Sequence, residues 1–551
     1  MVDGADGHAI PPLEGGGGSK ALIDGAGPVS LGLIDWIVVA AYLGGLVAFG
    51  LTASRLATGP EDYFLASRGS NWLTIGLALL ASNMSSAALV GLAGGAYANG
   101  ISVYDYEWTA VGLLVFFAVF MLPFILGARV YTMPEYLERR YDGRARLCLA
   151  LLTLFLCIFI DAAGGLYSGA LICRIVLPSA PLWLIAAALA SAAALYTVAG
   201  GLRAVIRTQA IHAAMLFAGA VAIAVTAFVA AGGWHHVMAA TDPDRLSLIR
   251  PAGDPAMPWP GLVSGVPILG FYYWCTNQFM IQRVLSAHDL DHGRWGVLLM
   301  GFLKLPILYL MVLPGICAGL LFPGLPKADL VYPALVFTLL PAGLAGAVIA
   351  AFAGATMATV ASMLSTASTL ITVDIIGPRL ARNDARLVTF GRLAALVVLA
   401  AAVAWVPVIE RMPSLWQYLQ AVLAYAVPPV VALFLVGMTW RGATADGAAA
   451  AFVLGAVAGF GLFLANVVLG WTHLHFLYVA PILLAFDVAV LVAVSVATAG
   501  KPAKPVDGLL WTPAFYRAES LRLAGLPLWR NYRILSALLL AATGVLVWSF
   551  R

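Results

Sequence analysis

Residues 72–108, WLTIGLALLASNMSSAALVGLAGGAYANGISVYDYEW, begin as an apolar helix of the kind that spans a membrane and are then interrupted. The interruption consists of Ser82, Asn83, Ser85, Ser86, Gly91, Gly94 and Gly95. Polar groups are costly in hydrocarbon unless they are satisfied, so at bilayer depth they face protein or a wet cavity. We therefore predict that the helix opens at Ala81–Ser86 and that a solute and a coupling ion bind there. The residues alone leave a second interpretation open, a seam of small residues between packed membrane helices.

The composition is that of an integral membrane protein. Of the 551 residues, 62% are hydrophobic and 10% are charged, whereas soluble domains carry roughly 25% charged residues. The five cysteines lie in or beside apolar spans without a CxxC pair, which predicts small buried side chains rather than disulfides or metal ligands. Residues 1–30, rich in Gly and Pro, are predicted to be a flexible N-terminal tail, and 31–551 the transmembrane domain.

Apolar runs of about 20 residues recur along the whole chain, as membrane-spanning helices require. We predict an all-α polytopic membrane protein with about 14 transmembrane helices. The runs are 33–52, 72–98, 107–127, 147–172, 181–200, 209–231, 260–281, 297–322, 343–371, 389–409, 415–438, 447–470, 476–498 and 534–550.

The basic residues divide unequally between the two sets of loops that this span count defines. Of the 30 Lys and Arg residues, 22 lie in the loops of one side and six in those of the other. Cytoplasmic loops carry the excess of Lys and Arg in membrane proteins, so both termini are predicted to lie outside. We expect a multi-pass protein of a bacterial inner (plasma) membrane.

A second interrupted span is predicted at 260–285, PGLVSGVPILGFYYWCTNQFMIQRVL. We expect Gly265, Pro267 and Gly270 to break it, so that helix is lost around Val266–Tyr273. Four spans separate it from the first interrupted span, and two broken helices five positions apart are typical of inverted repeats. The prediction is a core of two inverted five-helix repeats, at about 72–231 and 260–438, with broken first and sixth core helices.

Ionisable residues inside apolar spans are functional candidates by default. Lys304 lies within LLMGFLKLPILYL with no acid beside it in sequence, and we favour a functional role over snorkelling to the surface. Glu107, which opens a span, could equally be an interfacial acid near a helix N-terminus. Asp161 lies mid-span and must find a partner, hold a proton or face water. Asp487, in a late span, is predicted to be structural.

The span 343–371 presents a row of hydroxyl groups near helical spacing, which could supply hard oxygen ligands to sodium together with carbonyls from a broken helix. Ordinary back-bonding of Ser and Thr to carbonyls four residues earlier stays open as an alternative. No nucleophile–base motif and no phosphate-binding loop stands out, so we predict that the protein is not an enzyme. The hydroxyl-bearing residues are Thr356, Thr359, Ser362, Ser365, Thr366 and Ser368.

Residues 33–550 resemble the sodium:solute symporter family, including its sodium/galactose and sodium/glucose members, in a series of motifs that occur in the same order along the chain. The motifs are ASN at 81–83, YEW at 106–108, YTMPEYLERRY at 131–141, GGLRAVIRT at 200–208, YYW, NQ and IQR within 272–283, FLK at 302–304, ASMLS and AST within 361–369, and QYLQ at 417–420.

The resemblance implies a sodium-coupled secondary transporter of a small polar solute, most simply a sugar or polyol, that works by alternating access. By position, it implies substrate contacts from Asn83, Glu107, Tyr273, Lys304 and Gln420, with Tyr273 as the inner gate. It places Leu92, Tyr106 and Trp416 at the outer gate. It implies sodium ligands at Ala81, Met84, Ala355, Ala358 and Thr359.

The chain departs from the family pattern at positions that affect both solute and ion. Ala88 and Gly270 replace polar side chains of the sugar symporters, and Ala358 replaces a serine. Gln209 stands at an acidic position of the family, and Asp161 is an acid where the sodium/galactose and sodium/glucose symporters are not acidic. A proton site at Asp161, or facilitative transport without an ion, is therefore the alternative within transport. A membrane solute sensor is the alternative from another class. No obligatory protein partner, nucleic acid or further cofactor is predicted.

Overall fold

The computed structural model describes residues 32–53, 69–376, 386–412, 414–499, 506 and 508–551. Within these ranges the protein is all helical, with only two isolated bridges and no β-strand. The predicted all-α class is therefore confirmed. The predicted tail at 1–30 lies outside the described residues.

Twenty-four α-helices follow one another in the described ranges, several joined by π-helical turns. They are α1 Leu33–Ala53, α2 Trp72–Asn83, α3 Ser86–Asn99, α4 Asp105–Phe116, α5 Leu122–Gly127, α6 Met133–Arg140, α7 Gly143–Leu156, α8 Ala163–Val176, α9 Leu182–Ala230, α10 Gly233–Ala240, α11 Trp259–Ser264, α12 Val266–Phe271, α13 Gln278–Leu285, α14 Leu290–Lys304, α15 Leu313–Leu321, α16 Val331–Leu339, α17 Leu344–Thr369, α18 Arg386–Glu410, α19 Leu415–Ala426, α20 Pro428–Thr439, α21 Ala445–Phe463, α22 Phe476–Ala497, α23 Pro513–Ala524 and α24 Tyr532–Ser549.

Seven stretches of helix are long and apolar enough to cross a membrane, and the number rises to 11 if each bent pair is one span. Three shorter apolar helices accompany them in the described ranges. The count of fourteen spans stays a prediction, as do the inverted repeats. The spans predicted at 181–200 and 209–231 are joined in the single helix α9, which continues through the Gly200–Gly201 pair.

Helix α1 caps the start of α17 from another part of the chain. Asp35, only 3% exposed, accepts hydrogen bonds from the backbone N–H groups of Gly343 at 2.7 Å and Gly346 at 2.8 Å. The first N–H groups of a helix have no partner within it, and a carboxylate there also favours the positive end of the helix dipole. A Cβ on Gly346 would lie 2.6 Å from Cα of Asp35, so this close approach depends on glycine.

Helices α2 and α14 run in parallel and in close contact. A Cβ on Gly296 of α14 would lie 2.7 Å from Cβ of Ile75, and one on Gly76 of α2 would meet the side chain of Leu299. Small residues of this kind let the backbones of membrane helices approach each other. The consequence is that the C-terminal ends of the two helices, Asn83 and Lys304, lie side by side.

Candidate functional site

The first apolar span is broken where the sequence predicts. Helices α2 and α3 meet at an angle of 60° across Met84 and Ser85. Ser85 is extended (φ −98°, ψ 164°), and its hydroxyl accepts a hydrogen bond from the N–H of Ala88 at 3.2 Å, which starts α3. The break leaves the last carbonyl groups of α2 without the helical partners they would have in a continuous span. The predicted opening at Ala81–Ser86 is confirmed.

The second broken span departs from the prediction in where it opens. Val266–Phe271 is α-helix and Tyr272–Thr276 is one π-helical turn, so the expected loss of helix around Val266–Tyr273 is wrong. Pro267 lies in the first turn of α12, where no N–H partner is required, and therefore does not break the helix. The chain opens instead at Asn277 (φ −64°, ψ 119°).

Asn277 both ends one helix and starts the next. Its N–H donates to the carbonyl of Tyr272 at 2.8 Å, and its side-chain oxygen accepts from the N–H of Phe279 at 2.9 Å. The wide π-helical turn before it, Tyr272–Thr276, carries the aromatic run of this span. Such turns inside α-helices recur at functional sites.

A cavity of about 130 Å³ lies between the two breaks. Its wall comes from six parts of the chain: the α2–α3 break, α4, the stretch from the end of α7 to the start of α8, the stretch from α12 to the start of α13, α17 and α19. The wall includes the predicted solute residues Asn83, Glu107, Tyr273 and Gln420, the predicted gate residues Tyr106 and Trp416, and also Asp161, Thr359, Ala88 and Gly270.

Lys304 lies behind this wall and is fully buried. Its ammonium group donates to the side-chain oxygen of Asn83 at 3.1 Å and forms an ion pair with Glu107. The same nitrogen lies 4.4 Å from the ring centroid of Trp274, which adds a cation–π interaction. The structure thus brings together three predicted residues that are far apart in sequence, with the amide and the carboxylate facing the cavity. Such groups can bind the hydroxyl groups of a polar solute.

The predicted outer-gate residues are only partly brought to the cavity. Tyr106 and Trp416 contact each other edge to face, with ring centroids 5.6 Å apart, and both line the cavity. The indole N–H of Trp416 has no hydrogen-bond partner among the described residues. A Cβ on Gly91 would lie 2.7 Å from the Trp416 ring, so α3 supports the ring closely. Leu92 is buried but is not part of the wall, and its gate role stays a prediction.

The residues predicted to bind sodium lie on two elements that the structure ties together. Ala81 lies near the end of α2 and Met84 in the break, while Ala355, Ala358 and Thr359 lie on α17. Of these five, Thr359 lines the cavity.

A buried hydroxyl cluster joins the break to α17. Ser86 bonds to Ser168 of α8 at 2.8 Å and to Thr356 of α17 at 3.0 Å. Ser168 also donates to the carbonyl of Gly165 at 2.9 Å. Sequence reasoning missed Ser168, whose spacing carries no signal by itself. The cluster fixes the start of α3 one turn from Thr359, and so positions the break against the helix that carries the predicted ion ligands.

Two intramembrane carboxylates differ in their surroundings. Asp161, on the π-helical turn Cys157–Ala162, lines the cavity and forms no hydrogen bond or ion pair with the described residues. Asp487 is fully buried, its oxygens have no described hydrogen-bond partner, and it packs directly against Gly455 of α21. Asp487 is outside the cavity, as its predicted structural role requires. The side chain at the predicted position Gln209 lies outside the described residues.

Asp329, which sequence reasoning also missed, fixes the start of α19, the helix that carries Trp416 and Gln420. Its carboxylate is 1% exposed and accepts from the hydroxyl of Tyr167 at 3.0 Å and from the N–H of Leu415 at 3.3 Å. Lys327 lies 3.5 Å away and balances its charge. The motif KADL carries no sequence signal for this role, since the partners lie on other elements.

The chain matches known transporters over most of its length. The family model for the sodium:solute symporter family matches residues 63–455. A sodium/glucose cotransporter 4 of Danio rerio is 32% identical over 544 residues, which cover 89% of this chain and 82% of the relative. A sodium/myo-inositol cotransporter 2 of Oryctolagus cuniculus is 34% identical over 468 residues, which cover 77% of this chain and 69% of the relative.

A solved structure shares the fold. A Na⁺-coupled sialic acid symporter in a substrate-bound outward-open state superimposes with a TM-score of 0.72, covering 86% of this chain and all of that one, at 20% identity. Metal-binding groups of three or more His, Cys, Asp or Glu do not occur in the described residues. With 32% identity over most of a sodium/glucose cotransporter and a family match across more than half of its length, this multi-pass membrane chain belongs to the sodium:solute symporter family, a family of sodium-coupled transporters and not of enzymes.

Proposed function

We propose that the protein imports a sugar or polyol together with sodium by alternating access. The observation that carries this proposal is the cavity at the two helix breaks, where the Lys304–Glu107 ion pair and Asn83 meet. The names of relatives that match over most of the chain, for glucose and myo-inositol, support a polyhydroxylated solute. Hydroxyl groups need both donors and acceptors, and this wall offers both.

Each predicted solute residue receives a role. Asn83, Glu107 and Gln420 bind hydroxyl groups, and Lys304 fixes the first two from behind the wall. Tyr273 covers the solute on the inner side, and Tyr106 with Trp416 and Leu92 closes it from outside. Aromatic rings suit these positions because they cover the C–H faces of a sugar while their polar tips remain available.

Sodium is proposed to bind where the α2–α3 break meets α17. Backbone carbonyls of Ala81, Met84 and Ala355 and the hydroxyl of Thr359 would be its ligands, while Ala358 offers no side-chain oxygen. The hydroxyl cluster around Ser86 supports this assignment because it ties the break to α17 next to Thr359. One sodium ion gains about 2.3 kcal/mol per 100 mV of membrane potential, in addition to its concentration gradient.

The experiment is uptake of labelled glucose and myo-inositol into proteoliposomes, with an inward gradient of sodium or of potassium. We expect sodium-driven uptake. Glu107→Gln and Gln420→Ala should each weaken apparent solute affinity by roughly 10-fold, the value of a lost hydrogen bond to a polar solute. Gln417→Ala is the matched control, because Gln417 lies one turn earlier on α19 and is exposed. Unchanged affinity in both cavity variants would overturn the site assignment.

A proton-coupled or facilitative carrier is the second candidate. It is favoured by Asp161, which lies in the cavity without a described partner, and by the missing hydroxyl at Ala358. Uptake driven by a pH gradient in the absence of sodium, and lost in Asp161→Asn, would support the proton site at Asp161. Uptake that needs sodium and persists in Asp161→Asn would exclude it.

The orientation and location are proposals of the same kind. Both termini are placed outside a bacterial inner membrane because 22 of the 30 basic residues fall in one set of loops. Protease protection of a C-terminal tag in sealed inside-out vesicles checks the orientation, and cleavage of the tag there would contradict it.

A further inference from the structure

We infer that Asp161 recognises a positively charged nitrogen on the solute, so that the favoured substrates are amino sugars or amino polyols. This inference rests on the proposed function and deepens it, since it names the class of solute for the same cavity. In the proton-site alternative a proton neutralises the carboxylate of Asp161, whereas in this inference the ammonium group of the solute does.

Asp161 lies on a π-helical turn, Cys157–Ala162, between α7 and α8, and its side chain is partly exposed toward the cavity. Tyr272 and Tyr273 from the π-helical turn Tyr272–Thr276 and Gln420 from α19 line the same cavity. No Lys or Arg is among the described residues that line the cavity, so the wall offers the carboxylate no cation.

Glu107 and Asp161 are the charged side chains among the described residues that line the cavity. Lys304 from behind the wall pairs with Glu107, so those two charges cancel. Asp161 is left over. A carboxylate in a poorly hydrated site is costly unless a cation or a proton compensates it. A neutral sugar would leave that charge uncompensated, whereas an ammonium group would neutralise it.

The remaining wall supports the same assignment. Ala88 and Gly270 line the cavity and offer no hydrogen-bonding side chains. Asn83, Glu107 and Gln420 of the same wall can bind hydroxyl groups, and they come from other elements than Asp161. A solute that carries both hydroxyl groups and an ammonium group matches this combination of side chains.

Asp487 shows what the inference depends on. It is also an intramembrane carboxylate without a described partner, but it packs against Gly455 away from the cavity. No solute can reach it there. A carboxylate needs access to the solute, and not only the lack of a partner, to select a cation. Asp487→Asn is therefore the matched control for Asp161→Asn.

The test compares D-glucosamine, D-glucose and N-acetyl-D-glucosamine as competitors in sodium-driven uptake and, independently of transport, by quenching of tryptophan fluorescence in purified protein. Trp274 and Trp416 in the wall make the second readout sensitive to occupancy. We expect the protein to prefer the charged glucosamine over both neutral sugars by roughly 10-fold or more, the value of a charge-assisted hydrogen bond. Asp161→Asn should remove this preference while glucose binding persists, and Asp487→Asn should keep it.

Three results would overturn the inference and leave the proposed function standing. One is equal affinity for glucosamine and glucose in the unaltered protein. Another is an equal loss of affinity for glucosamine and for glucose in Asp161→Asn, which would show that the carboxylate accepts hydrogen bonds from hydroxyl groups. The third is a change of the sodium or proton dependence of uptake in Asp161→Asn without a change of solute preference. If none of these probes, nor myo-inositol, binds or is taken up, the proposed function fails and the inference fails with it.

Discussion

Helix α14 carries two buried ion pairs, one near each end, and they differ in what surrounds them. Near its N-terminus, Arg294 is fully buried and pairs with Glu519 of α23. At its C-terminus, Lys304 is equally buried and pairs with Glu107 of α4. Both pairs are buried. They differ in that Glu107 and Asn83, the two partners of Lys304, line the cavity.

Each guanidinium nitrogen and each carboxylate oxygen of the first pair has a hydrogen-bond partner. Arg294 donates to the carbonyl of Ala118 at 3.0 Å and to both oxygens of Glu519, and its guanidinium lies 3.9 Å from the ring centroid of Tyr532. Glu519 also accepts from the hydroxyl of Tyr532 at 2.6 Å. This arrangement, which we call the C-terminal clamp, fastens α23 and α24 to α14. It leaves no group free for a ligand, and its role is therefore structural.

A buried ion pair is therefore not by itself a sign of function. Buried pairs are weak evidence even for stability, because the cost of desolvating two charges offsets much of their attraction. What distinguishes Lys304–Glu107 is the adjacent cavity, toward which Glu107 and Asn83 point.

Arg294→Met should have the largest effect on stability. It leaves Glu519 buried without its main partner, and breaking a buried pair in this way costs about 3–5 kcal/mol. Arg522, at 3.4 Å from Glu519, compensates part of the charge, so the lower end is expected. The measurement is the thermal midpoint in detergent. Arg294→Met combined with Glu519→Leu should recover stability, because no charge is then left unpaired, and an unchanged midpoint in the single variant would contradict the clamp.

Lys304→Met should mainly weaken solute binding. Glu107 and Asn83 lose the cation that fixes them, and hydrogen bonds to charged groups are worth about 1.5–3 kcal/mol, so solute affinity should fall on the order of 10- to 100-fold. The loss of thermal stability should be smaller than in Arg294→Met, because Glu107 can gain water from the cavity. Tryptophan fluorescence measures the effect on solute binding, and the thermal midpoint measures the effect on stability. A variant that unfolds like Arg294→Met but binds normally would reverse the comparison.

The clamp also predicts a pH dependence of stability. Burial alone would raise the pKa of Glu519, but hydrogen bonds from Arg294 and Tyr532 and the charges of Arg294 and Arg522 outweigh burial and lower it. A lowered pKa in the folded state means that Glu519 contributes stability above the ordinary glutamate value, about 4.3, and loses it as pH falls through the lower folded value. The thermal midpoint should therefore fall steeply below about pH 4.

The control for this pH effect is the variant without the clamp charges. Arg294→Met combined with Glu519→Leu removes the group that titrates, so its thermal midpoint should change less over the same acidic range. An identical acid profile in both proteins would mean that other carboxylates dominate and that the clamp contributes little.

Sequence reasoning located the first helix break because polar side chains at bilayer depth are costly in hydrocarbon and therefore stand out in an apolar span. For the second span it named Gly265, Pro267 and Gly270, of which only Gly265 separates two helices, α11 and α12. In the structure Pro267 lies in the first turn of α12, where it is tolerated, and Asn277 opens the chain by capping the next helix. A capping asparagine inside an apolar run gives a weaker sequence signal than a proline.

In the site, the sequence revealed single residues but not the contacts between them. Single residues were recognisable, because a lysine inside an apolar span is costly and the family motifs fixed positions such as Asn83 and Gln420 on the cavity wall. Pairings were not recognisable. Glu107 and Lys304, or Arg294 and Glu519, lie about 200 residues apart, and only the packing of α14 against its neighbours brings each pair together. The hydroxyl of Ser168 and the carboxylate of Asp329 were missed for the same reason.

The smallest effect is expected at Trp274, and it refines the assignment of Lys304. The Lys304 ammonium lies 4.4 Å from the Trp274 ring centroid, and a cation–π interaction is worth about 0.5–2 kcal/mol. Trp274→Leu keeps an apolar side chain but removes the ring, so solute affinity should fall only a few-fold in isolation. In the Lys304→Met background the same change should have almost no further effect, because the cation is gone. Additive losses in the double variant would show that Trp274 contacts the solute directly instead of acting through Lys304.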